Sequence, residues 1–115
     1  MADLSKENNS IMARLTGAGL SLEKVEARQR VFAEQAAVTF GATLIHFLLS
    51  PMENGDIRLE STTVRGRKQV EIDAVISIIN EGLVADVTVR PNGLLYRKVA
   101  AKIVNSSLRR IEAEW

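Results

Sequence analysis

The chain has 115 residues, 46% of them hydrophobic and 25% charged, and its 15 basic and 14 acidic side chains leave a formal net charge of +1. This length suits one domain with a single core, so we expect one α+β domain over residues 1–115. The composition excludes wholesale disorder, and the charge balance means that any basic patch has to be local. Cysteine is absent, which excludes a disulfide framework and a thiolate metal site.

The first part of the chain has helical spacing. Four residues share one face of a short helix, and two glycines end it: Leu4, Asn8, Ile11, Leu15, then Gly17 and Gly19. Ser21 follows as a good N-cap for a second, longer helix. Because no proline occurs before Pro51, we expect this helix to run from Leu22 to Ser50.

The second half of the predicted long helix belongs to a run without charged residues, which extends over residues 35–52. A membrane span is disfavoured because Thr39, Thr43, His46 and Ser50 draw a polar stripe along it, and no Trp or Tyr anchors its ends. A rod apolar around most of its circumference needs cover on several sides. A second copy of the chain would cover the remaining sides of the helix. The residues predicted to form that oligomer interface are Ala37, Gly41, Leu44 and Leu48. The alternative is that the short N-terminal helix covers the rod within the chain.

His46 is the only histidine. In a helix its neighbours one turn away would be Ala42, Thr43, Leu49 and Ser50, and none of these is a carboxylate that could orient an imidazole for acid–base catalysis. We therefore expect an interior histidine that is hydrogen-bonded to a hydroxyl group.

Three stretches then alternate apolar and polar residues, as half-buried strands do. They cover residues 56–64, 69–79 and 85–90, and the turn Pro91–Gly93 follows the last. The middle stretch also fits an amphipathic helix, but six β-branched residues between Val70 and Ile79 favour a strand. Leu95, Arg97 and Val99 could form a fourth strand, or a helix could begin straight after the turn.

Folding these stretches into an antiparallel meander sorts the charged turns, because alternate turns fall at the same end of the sheet. One end receives the basic residues Arg65, Arg67, Lys68 and Arg90. The other end receives the acidic turns at residues 53–56 and 80–82. This separation suits either phosphate contacts or end-to-end association of copies.

The last 17 residues form an amphipathic helix whose apolar line is Val104, Leu108, Ile111 and Trp115. The predicted fold is therefore α+β, with two N-terminal helices (the second long), an antiparallel β-meander of three or four strands, and a C-terminal amphipathic helix.

Two short segments, residues 70–73 and residues 105–112, resemble parts of the small nucleoid-associated YbaB/EbfC proteins. That family binds DNA as a dimer, which is what the resemblance implies. The match covers a small part of the chain, and the alternating run from Leu83 to Val99 departs from the family pattern, so no site residues are carried over.

The sequence has no catalytic signature, phosphate-binding loop or metal-ligand cluster, so we expect no enzyme activity, cofactor or metal. We expect a self-associating protein that acts through protein contacts, and a place in a larger assembly is compatible with this expectation. The alternative is a small dimeric nucleic-acid-binding protein that uses the basic turn. The N-terminus lacks an apolar signal core, which predicts a cytoplasmic protein.

Overall fold

A computed structural model describes residues 10–80 and 82–114 of the chain. It confirms the α+β fold, with helices before and after a four-stranded antiparallel sheet in the order β1-β2-β3-β4. The elements are α1 (Ile11–Gly17), α2 (Leu22–Thr39), β1 (Thr43–Pro51), β2 (Ile57–Arg65), β3 (Lys68–Ile79), β4 (Gly82–Arg90) and α3 (Leu94–Glu114).

The three alternating stretches are confirmed as β2, β3 and β4, so the segment from Val70 to Ile79 is a strand. The fourth strand is not the segment after the turn, because α3 begins at Leu94. Instead the fourth strand is β1, which apart from its last residue, Pro51, lies inside the segment that was predicted as helix.

The predicted helix from Leu22 to Ser50 is therefore too long. Ser21 is the N-cap, and its hydroxyl accepts a hydrogen bond from the Lys24 N–H. The helix ends at Thr39 because Gly41 takes a left-handed conformation, with φ +70°. The N–H groups of Gly41 and Ala42 then bond back to the last turn of the helix, which is the Schellman arrangement.

A bulge hides the strand pattern of β1. The pairing with β2 shifts register between Leu44 and His46, so the inward-facing residues are Leu44, Phe47 and Leu49 rather than every second residue. Their spacing of three and then two breaks the period of two, which explains why the alternation of a strand is missing from this part of the sequence.

The helices lie on one face of the sheet and bury the core against it. α2 packs on β1 and on α3, while α3 packs on β4 and β3. Most inward side chains of β2 and β3 are buried, including Ile57, Leu59, Ile72 and Ile76, while Ile78 near the end of β3 is half-buried. The apolar side of α2 is thus covered within the chain, and a second copy is not needed to cover it.

The other face of the sheet is open, and His46 lies on it. Its side chain is 49% exposed and its Nε2 is 3.9 Å from a carboxylate oxygen of Glu60. The expectation of an interior histidine is wrong, because β1 turns this residue outward. Neither α2 nor any other helix among the described residues is long and apolar enough to cross a membrane.

Candidate functional site: the free edge of the sheet

The meander places the charged turns as predicted. Arg65 pairs with Lys68 across the β2–β3 turn, and Arg90 at the end of β4 pairs with Glu71, three residues along β3 from Lys68. At the opposite end, the Ser77 hydroxyl donates to the Asp56 carboxylate, 3.0 Å away. The sheet therefore has a basic end and an opposite end that carries Glu53 and Asp56; Glu81 lies outside the described residues.

The basic residues differ in whether their side chains have a partner within the described chain. Arg65 Nε donates to the carbonyl of Phe40, 3.0 Å away, just beyond the C-terminus of α2. A cation at this position also suits the negative end of the helix dipole. Arg67 and Lys68 are exposed, and neither forms an ion pair with a residue that the structure describes.

The four residues predicted to line a helical interface are not on one helix. Ala37 is fully buried in the core of its own chain, and Leu44 is half-buried against that core. Gly41 forms the exposed turn after α2, and Leu48 is exposed on the open face of β1. The structure therefore does not bring these residues together into one surface.

Charged side chains cover much of the open face, and most of them are paired. Arg58 on β2 donates from both Nε and Nη2 to Asp73 on β3, with a distance of 3.1 Å from Nε to Oδ1. Glu60 lies 3.4 Å from the same guanidinium. On the next strands, Arg90 lies 3.7 Å from Glu71.

The interaction between Arg58 and Asp73 shifts the pKa of both groups. The hydrogen bond from Arg58, together with its positive charge, holds the pKa of Asp73 below its usual range, despite an opposing contribution from partial burial. The same hydrogen bond and the charges of Asp73 and Glu60 raise the pKa of Arg58. Both groups therefore stay charged in neutral solution.

A shallow polar depression of about 270 Å³ lies among these side chains, lined by His46, Arg58, Asp73, Thr88 and Arg90 together with their neighbours. Its carboxylates Glu60, Glu71 and Asp73 each lie beside a guanidinium, that of Arg58 or Arg90. The depression thus has little uncompensated charge to offer to an ionic ligand. Among the described residues no group of three His, Cys, Asp or Glu side chains is placed to hold a metal ion.

Asp86 on β4 is different. Its side chain is exposed on the same open face, two residues before Thr88. It forms no hydrogen bond or ion pair with any residue that the structure describes. It is thus a carboxylate without a partner, on a strand at the edge of the sheet.

The edge of the sheet at β1 is closed by side chains of α2. The Glu26 carboxylate accepts a hydrogen bond from the Leu49 N–H at 3.1 Å, and the Arg30 guanidinium donates to the Phe47 carbonyl at 3.0 Å. Pro51 has no N–H to offer. The bulge near Ile45 further disrupts this edge, so β1 is a poor template for another strand.

The edge at β4 is open. From Val84 to Arg90, no hydrogen bond reaches the outward backbone groups from any described part of the chain. β4 is also the strand with no buried residue, since its inward side chains Ala85, Val87 and Val89 are only half-buried. The opposite edge strand, β1, buries Phe47 and Leu49. β4 therefore combines unpaired backbone groups with incompletely covered apolar side chains.

No pattern in the sequence singled out Glu26, Arg30 or Asp86. The contacts of Glu26 and Arg30 are with β1, and β1 itself was not predicted, so no signal in the sequence pointed to them. Asp86 could have been singled out as the central polar residue of the last alternating stretch, but its position at the edge depends on the strand order.

Comparisons with known proteins add no information about the function of this surface. No family model matches the chain, and neither a curated protein nor a solved structure has significant similarity to it. The resemblance to the YbaB/EbfC family thus gains no support from a matching family model.

Proposed function

We propose that this protein acts without catalysis, as a self-associating protein that binds through the free edge of β4. The observation that carries the proposal is the contrast between the two edges of one sheet. β1 is closed by Glu26 and Arg30, whereas β4 presents unpaired backbone groups from Val84 to Arg90 in the described structure.

The chemistry of an open edge supports binding to another strand. A row of unpaired N–H and C=O groups pairs readily with an extended segment, and main-chain hydrogen bonds then provide affinity. Covering the half-buried Ala85, Val87 and Val89 adds a hydrophobic contribution of about 25 cal/mol per Å² of apolar area. Both contributions are available to any copy of the chain that approaches β4.

The test is the mass of the protein in solution, measured by light scattering coupled to size exclusion. We expect a defined multimer for the unchanged chain and a shift toward monomer for Thr88→Lys, because lysine on an edge strand opposes pairing. Val38→Lys is the control, since Val38 is 70% exposed on α2, which packs on β1 and α3. A monomeric unchanged protein would rule out self-association, and a multimer insensitive to Thr88→Lys would place the contact elsewhere.

A second candidate function is nucleic-acid binding at the basic end. It is favoured by the exposed Arg67 and Lys68, which have no ion-pair partner among the described residues. Arg97 and Lys98, also exposed, lie in the first turns of α3, which begins next to the end of β4. Phosphate contacts of this kind give affinity without sequence preference.

The double substitution Arg67→Ala with Lys68→Ala tests this candidate. It should weaken binding to duplex DNA and reduce the salt slope by roughly 0.9 for each lost phosphate contact. These two residues are preferable to Arg65, whose guanidinium also bonds to Phe40 at the end of α2. Lys24→Ala, at an exposed position in the first turn of α2, serves as the control. Equal affinity of all three proteins for DNA would exclude the basic turn as the contact.

A further inference from the structure

We propose that the strand bound at β4 is the β4 strand of a second copy, paired antiparallel about a two-fold axis at Thr88, with Asp86 of each copy opposite Arg90 of the other. This inference rests on the proposed function and adds the partner and the register to it. Each copy then contributes the same surface, as in most two-fold dimers.

Charge selects this register among the symmetric ones. In an antiparallel pair of identical strands, residues opposite each other have numbers with a constant sum. A pairing centred on Asp86 brings two carboxylates face to face, and like charges directly opposite are destabilising. A pairing centred on Thr88 instead matches Asp86 with Arg90 twice.

The charges are available for these contacts. Asp86 has no partner among the described residues of its own chain. Arg90 is bound only loosely, since its side chain is 77% exposed and lies 3.7 Å from Glu71. Asp86, Thr88 and Arg90 alternate along β4 and share its open face, so the three positions meet their counterparts on the same side of the joined sheet.

Apolar residues around the same place are also incompletely covered. The register brings Val87 opposite Val89 of the second copy on the inward face, where both are half-buried in the single chain. Leu94 and Leu95, at the start of α3, are 68% and 38% exposed and follow Arg90 by a few residues. Pairing β4 with its copy would extend the apolar inward face of the sheet near the start of α3.

Single cysteines test the register directly, because the chain has none of its own. Residues directly opposite in an antiparallel pair have Cα atoms roughly 4.5 to 5.5 Å apart, within the range that a disulfide spans. Thr88→Cys should therefore form a covalent dimer under mild oxidation. Asp86→Cys and Val87→Cys should not, because each residue lies opposite a different one. Val38→Cys, on the exposed side of α2, measures chance collisions between copies.

Exchange of the two charges is the second test. Asp86→Arg alone should weaken dimerisation roughly tenfold by placing two arginines opposite each other at two symmetric positions. The double variant Asp86→Arg with Arg90→Asp should recover most of that loss. Glu53→Arg, in the exposed β1–β2 turn, makes the same change of charge away from β4 and should leave the dimer intact.

The outcomes separate this inference from the proposed function. A covalent dimer of Thr88→Cys, together with recovery in the charge exchange, supports it. Disulfides at position 86 or 87 would overturn the register while leaving self-association through β4 in place. A multimer that forms none of the three disulfides would overturn the pairing of β4 with itself, and a monomeric unchanged protein would overturn both proposals.

Discussion

Asp73 and Arg58 hold the middle of the open face together. Asp73 accepts two hydrogen bonds from Arg58, and its pKa is lower in the folded chain than its ordinary value of about 3.9. A carboxyl with a lowered pKa stabilises the fold when it is ionised. That contribution is fully present about one pH unit above the ordinary pKa and is lost as the pH falls through the lowered pKa of the folded chain.

We therefore expect Asp73→Asn to lower the thermal unfolding midpoint at pH 7, by a small amount because the pair is partly exposed and screened by solvent. The difference from the unchanged protein should shrink as the pH falls below the ordinary carboxyl pKa and through the lowered pKa of the folded chain, where Asp73 itself becomes protonated. Glu53→Gln is the control, since Glu53 is exposed and has no described partner. A difference that persists unchanged at low pH would mean that Asp73 acts through packing instead of charge.

At the scale of elements, Glu26 joins α2 to the outer backbone of β1. Its carboxylate accepts the Leu49 N–H and also faces Arg30, which binds the Phe47 carbonyl. Glu26→Ala leaves that N–H without its charged partner, and such hydrogen bonds contribute about 1.5 to 3 kcal/mol. We expect a loss of this order in the free energy of unfolding, measured in urea.

The same variant should expose the edge of β1. Hydrogen exchange of the Leu49 amide should become faster in Glu26→Ala than in Glu23→Ala, which removes a carboxylate one turn earlier with no described partner. Unchanged protection of the Leu49 amide would contradict a role for Glu26 in closing this edge.

Much of the fold follows from local patterns in the sequence. Alternation predicted β2, β3 and β4, and Ser21 marked the start of α2 because its hydroxyl caps the helix. The end of α2 was missed although Gly41 was visible, because glycine inside an apolar run is compatible with a helix as well as with a left-handed cap. The bulge in β1 then concealed the strand that follows.

The candidate site was harder to predict. The grouping of Arg65, Lys68 and Arg90 at one end depended only on the order of the strands, which the meander rule supplies. The difference between the two edges depends on contacts from α2 to β1 over 17 and 23 positions in the chain. Such contacts between distant residues leave no local pattern in the sequence, so the free edge of β4 could be identified only from the structure.

At the scale of the whole molecule, two modes of association respond differently to salt. Contact between the basic end of one copy and the acidic end of another would be electrostatic, so the copies should dissociate at high ionic strength. The proposed pairing of β4 with β4 would instead rest mainly on backbone hydrogen bonds and on the burial of apolar side chains. We expect light scattering to give nearly the same mass at low salt and at 1 M salt, with at most a modest loss from the exposed ion pairs. Dissociation to monomer at high salt would favour end-to-end contact.

In the proposed assembly, the closed edge at β1 would also limit the number of copies that can join. A chain with two open edges can add copies without limit and becomes a fibril. Here each copy brings one open edge and one that Glu26 and Arg30 keep occupied, so joining two copies consumes both open edges and leaves only closed ones outside. Glu26 and Arg30 on α2 would thereby stop the joined sheet from adding further strands. The number of copies would then depend on β1, the strand farthest from the contact between the two β4 strands.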